Sequence, residues 1–150
     1  MEKRPGGGFS GPAWDPGRWV RKMGLVAPRN LGKYCSCCNS WLNHTLTAAY
    51  GAHFKRVGPP NPGQILSVIA DESRPDEFNA GWTDGSEIEK AVADVRHFFP
   101  APNSALEDFR AKLASATTLD GWTGTHVVYI VRTKKSFHVG TAKVVPTGKD

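Results

Sequence analysis

The stretch Tyr34-Cys35-Ser36-Cys37-Cys38-Asn39-Ser40-Trp41-Leu42 holds all three cysteines of this 150-residue chain. An apolar series begins inside it and continues beyond: Trp41, Leu42, Thr45, Leu46, Ala49 and Tyr50. Counted from Cys38, these residues fall three, four, seven, eight, eleven and twelve positions on, the spacing of one helical face. The spacing predicts a helix opened by Ser36 or Cys37, running to about Tyr50 and closed by Gly51. Cys38 then sits in its first turn, on the inward face. There the unpaired N–H groups and the helix dipole favour a thiolate, and the same N–H groups can hold an oxyanion.

Working outward, residues 1–30 read as an arm rich in Gly and Pro, with Gly6-Gly7-Gly8, Gly11-Pro12 and Pro16-Gly17. Trp14, Trp19, Val20, Met23 and Leu25 offer anchors, with one short helical turn expected at 17–23. Residues 31–150 read as a single domain, since a chain of this length supports one modest core. The formal net charge is +5, and its placement is uneven. Residues 1–34 carry seven Lys/Arg against Glu2 and Asp15, whereas the remainder is neutral. The arm is therefore read first as a solubilising lead-in, and second as a contact for an anionic polymer. No apolar run reaches the ~20 residues of a membrane span. No apolar block follows the charged start, so no signal peptide is expected, which leaves a cytoplasmic location or export by a non-classical route.

Downstream, 64–70 is a short strand rich in branched residues, and 71–85 reads as an acidic, solvated loop. Ser86 with Glu89, and Ser104 with Glu107, have the spacing of capping boxes. The first opens a helix presenting Ile88, Val92, Val95 and Phe99; the second opens one presenting Leu106, Phe109, Leu113 and Ala116. Both are covering helices, and His97 is a surface residue near a helix end. The segment 125–132 is the best strand of the chain, and 137–145 returns beside it as a hairpin across Lys134-Lys135. The expected fold is α+β: a leading helix carrying the thiol, two covering helices, and a small, mainly antiparallel sheet with a C-terminal hairpin.

A thiol at a helix start and, later, a histidine heading an apolar strand resemble the papain-like cysteine hydrolases. The resemblance rests on Cys35-Ser36-Cys37-Cys38-Asn39-Ser40-Trp41-Leu42, on Pro62-Gly63-Gln64-Ile65-Leu66, and on His126-Val127-Val128-Tyr129-Ile130 followed by Phe137-His138. The last piece is similar to bacterial cell-wall endopeptidases and amidases, which open a strand with His-Val and carry a polar residue, often His, twelve positions on. The first is similar to papain-fold toxins and viral leader proteases. The chain departs from the cell-wall enzymes in reading Tyr34-Cys35-Ser36-Cys37 where they have Asp-Cys-Ser-Gly, a register that selects Cys35 rather than Cys38.

The resemblance implies a hydrolase or acyl transferase that cleaves an amide bond of peptidoglycan peptide or protein through a thioester, with no cofactor. Cys38, or Cys35, is the expected nucleophile, His126 the base and His138 its orienter, with N–H groups around Cys38 and Asn39 as the oxyanion site. A toxin would bring an immunity or inhibitor protein as partner. The orienter role carries a geometric condition: an even hairpin loop puts the two histidines on opposite faces, and only an odd loop or a bulge joins them. Two other classes compete. Cys35, Cys38, His44 and His53 are the right ligand types for zinc, which would suit an interaction module that binds nucleic acid or protein. Cys38 beside Trp41 also fits plain core packing in a non-enzymatic domain.

Overall fold

The computed structural model describes residues 23–26, 36–119 and 126–146, with side-chain surroundings given over 40–119 and 126–143. The elements are β1 (Met23–Val26), α1 (Ser36–Val57), β2 (Ile65–Asp71), β3 (Phe78–Thr83), α2 (Ile88–Phe98), α3 (Asn103–Ala116), β4 (His126–Arg132) and β5 (Phe137–Pro146). The strands form one mixed sheet in the order β1-β5-β4-β2-β3. The central β2–β4 pair is parallel, and the three other pairings are antiparallel. Over the described residues the fold is thus α+β, with three helices and a small sheet.

Helices cover both faces of this sheet, so its central strands carry side chains inward on both sides. Every residue of β2 is buried, and so are the five middle residues of β4. This explains the unbroken apolar runs Ile65-Leu66 and Val127–Val131. On one face, Leu42, Leu46, Ala49, Tyr50 and Phe54 of α1 pack with Leu66, Val68, Ala70, Val127, Tyr129 and Val131. On the other, α2 and α3 bring Val92, Val95, Leu106, Phe109 and Leu113 against Ile65, Ile69, Val128 and Ile130. The alternation along each strand assigns every residue its face. Opposite Tyr129 in the register stands Gly140, where a Cβ would lie 2.6 Å from the phenol oxygen. The glycine gives the ring its space.

The structure corrects several expectations. Part of the segment read as an arm is the edge strand β1, whose Met23–Val26 pairs with the end of β5. The short helical turn expected at 17–23 falls mostly outside the described residues. Helix α1 does not stop at Gly51, which is buried within it, but continues to Val57. Gly58, with φ of 98°, ends it by donating its N–H to the Phe54 carbonyl at 2.8 Å. Glycine adopts this left-handed φ without steric penalty. Trp82 then locks the cap in place, its indole N–H donating to the Gly58 carbonyl at 2.9 Å.

The loop expected over 71–85 contains β3, which pairs antiparallel along β2. Its Asn79 and Gly81 break the usual strand composition, and backbone pairing at a sheet edge overrides that. Neither capping box forms. Ser86 donates to Asp84 Oδ1 at 2.6 Å instead of capping α2, and Glu89 accepts a two-pronged contact from Arg110 at 2.7 and 3.0 Å. No side-chain hydrogen bond caps α3 either, whose N-cap residue is Pro102. The buried faces of both helices are nonetheless the ones the apolar spacing selects.

Candidate active site

Cys37, Cys38 and Asn39 all lie in the first turn of the 22-residue helix α1. Cys35 is outside the described residues, and the surroundings of the Cys37, Cys38 and Asn39 side chains are too. The first turn contains no acidic side chain, while Lys55 and Arg56 occupy the last. Both facts match the helix dipole: the positive end keeps its field for an anion, and the cations sit where the carbonyls gather. A thiol at this position lies where the helix dipole favours its thiolate form.

Helix α1 crosses the sheet obliquely. Its late residues hold Trp82 on the edge strand β3, with the Tyr50 and His53 rings 5.8 and 5.3 Å from the indole. It also packs on β1, at the opposite edge. In the register, Val26 of β1 pairs with Lys143 of β5, and Lys143 pairs with His126 of β4. Val26, Lys143 and His126 thus form one row across β1, β5 and β4.

His126 is half-buried at the head of β4. Since Val127, Tyr129 and Val131 face α1, alternation assigns the 126 position to the α2/α3 face. His138 takes the other face. The register pairs Arg132 with Phe137 and Val131 with His138, leaving the even loop 133–136. His138 lies level with Val131, five residues along from His126, or about 17 Å at the rise of a strand. Different faces and this separation remove His138 as the orienter of His126. Its ring nitrogen Nε2 instead meets Ser136 Oγ at 3.2 Å. Burial pushes the His138 pKa below the ordinary histidine value, against a smaller upward pull from Glu72.

The proposed zinc ligands do not converge. Cys38 and His53 stand fifteen residues apart on one continuous helix, about 22 Å along its axis. His44 is exposed on α1, whereas His53 is buried, so the two imidazoles address different sides. One ion cannot reach Cys38 and His53 together, since metal–ligand bonds are only ~2 Å. His53 has its own environment. Arg56 lies 3.1 Å from its Nδ1 and, as a donor only, makes that nitrogen the acceptor. The ring proton is then on Nε2, which is buried and has no hydrogen-bond partner among the described residues. Burial, helped by the Arg56 charge, holds the His53 pKa below its usual value. Among the described residues, no group of three or more His, Cys, Asp or Glu is arranged to hold a metal.

Sequence reading missed two polar constellations. One is the buried pair Ser67 and Thr83, joined by a 3.0 Å hydrogen bond under a cleft of ≈ 70 Å³ beside α2. Ser67 stands in an apolar run and Thr83 in a segment read as loop, so only the β2–β3 pairing brings them together. The other is Asp71, 3% exposed, with Arg132 and Arg74 at 3.3 and 3.8 Å. A charged residue closing an apolar strand was its one visible sign. The chain matches no protein-family model, and no match was found among curated proteins or solved structures. No described helix is long and apolar enough to cross a membrane.

Proposed function

We propose that this chain is a cysteine-dependent hydrolase or acyl transferase acting on an amide bond of peptidoglycan peptide or protein, as its resemblance to papain-like enzymes implies. The observation that carries this reading is the place of Cys38 in the first turn of α1, a helix packed on the sheet with no acidic residue in that turn. His126, at the head of β4 in the row that joins it through Lys143 to Val26 of β1, is the base. Its position alternates away from α1, so the imidazole must turn over the end of β4 to meet the sulfur. His138 takes no part.

In this mechanism His126 removes the thiol proton, and the thiolate adds to the substrate carbonyl. The N–H groups of Cys38 and Asn39 hold the negative oxygen of the tetrahedral intermediate. The protonated imidazole then gives its proton to the leaving nitrogen as the C–N bond breaks, which leaves a thioester. Water, deprotonated by His126, adds to the thioester and releases the acid and the thiolate; an amine in place of water gives transfer.

The test is amide cleavage by purified variants on stem-peptide amides and on an unfolded protein, with folding verified by circular dichroism. Cys38→Ala should abolish turnover, and His126→Ala should lower kcat by about 10²–10⁴-fold. Cys35→Ala and His138→Ala should leave it near the wild-type level. Turnover surviving in both Cys38→Ala and His126→Ala removes the hydrolase reading, and loss in Cys35→Ala alone transfers the nucleophile to Cys35.

A further inference from the structure

We infer that the cleft at the C-terminal ends of β2 and β4 is a binding site for a small organic anion, one with a phosphate or carboxylate head on a flat apolar body. The topology opens this cleft. β2 and β4 are parallel neighbours, yet β2 continues outward to β3 and β4 turns the opposite way to β5. Loops that leave adjacent parallel strands in opposite directions leave a crevice between them, the usual ligand position in open sheets with parallel strands. Here the crevice measures ≈ 520 Å³, within the range of small-molecule sites.

Its charge is arranged for an anion. The two carboxylates of the lining are engaged inside the protein. Asp71 accepts from Ser73 N–H and Oγ at 3.0 and 2.9 Å and faces Arg132 Nε at 3.3 Å. Glu72 accepts the Lys134 N–H at 2.9 Å, while its own N–H donates to the Arg132 carbonyl at 2.8 Å. These bonds tie the two loops together and hold Arg132 by one edge of its guanidinium. The terminal amino groups of Arg132 remain for a second acid. Lys134 and Lys135 also line the crevice, exposed, and neither has an ion-pair partner among the described residues. Three cations against two internally engaged carboxylates make the opening attractive to a single anionic group.

The opposite wall is apolar. Phe137 and Pro100 line it, and the Phe137 ring is steadied by Phe99 at 5.4 Å between centroids. A fixed aromatic surface beside a cationic corner suits a ring bearing an acidic group, since the body gains contact as the head gains hydrogen bonds. The site is six residues along β4 from His126, about 20 Å, so it is separate from the thiol chemistry and stands or falls independently.

Titration of the full-length chain with phenyl phosphate, benzoate and inorganic phosphate, followed by backbone amide NMR shifts, tests the assignment. Phenyl phosphate or benzoate should bind saturably, with the largest shifts in residues 132–137. The double variant Lys134→Gln/Lys135→Gln should weaken that binding about tenfold or more with the fold unchanged, because both side chains are exposed and neither has an ion-pair partner among the described residues. Inorganic phosphate should bind more weakly, for want of a ring to lay on Phe137. Failure of both aromatic acids to saturate at millimolar concentration overturns the proposal. So do shifts centred elsewhere, or equal affinity in the double variant. Equal affinity for phosphate and phenyl phosphate overturns the role of Phe137.

Discussion

On one face of the sheet, α2 and α3 lay stripes of Val, Leu and Phe over Ile65, Ile69, Val128 and Ile130. On the other, helix α1 brings Tyr50, His53 and Phe54 to Trp82 and packs over Tyr129. The first face is held by two short helices that follow each other in the chain, and among its aliphatic and phenyl groups it buries the Ser67–Thr83 hydrogen bond and Asp71. The second joins a helix to a strand twenty-five or more residues later, and polar atoms are built into it. Its cohesion depends on specific partners: the indole on the Gly58 carbonyl and Arg56 on the His53 ring. Both faces are stabilised by area removed from water together with directed contacts, but the second includes the buried imidazole of His53, whose contacts respond to pH.

The largest expected effects come from cutting each face at its centre. Phe109 and Leu46 are both 0% exposed. Phe109→Ala should cost about 3–5 kcal/mol and Leu46→Ala about 2–5 kcal/mol, since each leaves a cavity that close packing cannot fill. Urea unfolding measures both, and because the two faces share one sheet, each variant should unfold in a single transition. A Leu46→Ala protein with an unchanged midpoint would mean that α1 contributes little to the core.

A smaller effect distinguishes the faces by pH. His53 and His138 both lie on the α1 side of the sheet, and burial lowers both pKa values from 6.5. The unfolded chain therefore binds protons that the folded chain refuses, so stability is complete above pH 6.5 and declines as the pH falls through that value. His53→Leu should flatten this decline, measured as Tm against pH. A slope equal to that of the wild type would show that His53 titrates normally. The smallest effect belongs to the surface of the other face. Arg110→Ala removes the exposed contact with Glu89, and Tm should scarcely move, because solvent screens such pairs.

This contrast also explains what could be read from sequence. The inward faces of α2 and α3 were legible because Val92, Val95, Leu106, Phe109 and Leu113 repeat at helical spacing with polar residues between. The hairpin was equally plain from its branched strand and polar turn. The far end of α1 was hidden by Gly51, which signals a stop locally but is buried in the helix interior by tertiary packing. Strand β3 was hidden by Asn79 and Gly81, and β1 by its place among Gly and Pro. For the candidate site, the spacing placed Cys38 in a first turn, as found. The pairing register was not in the sequence. An even loop and a five-residue offset set His138 apart from His126, and one long helix set His53 apart from Cys38. The cleft beyond Asp71 and Arg132 depends on a parallel pairing between strands some sixty residues apart, which no local pattern records.

The central claim is that the start of α1 makes Cys38 a thiolate in partnership with His126. The direct measurement is the rate of iodoacetamide alkylation of Cys38 against pH, in the folded chain carrying Cys35→Ala and Cys37→Ala, with and without His126→Ala. The claim predicts an apparent pKa well below the ~8.5 of free cysteine, rising toward it when the imidazole is removed. A thiol that titrates at or above the free value, with no response to His126, would contradict it.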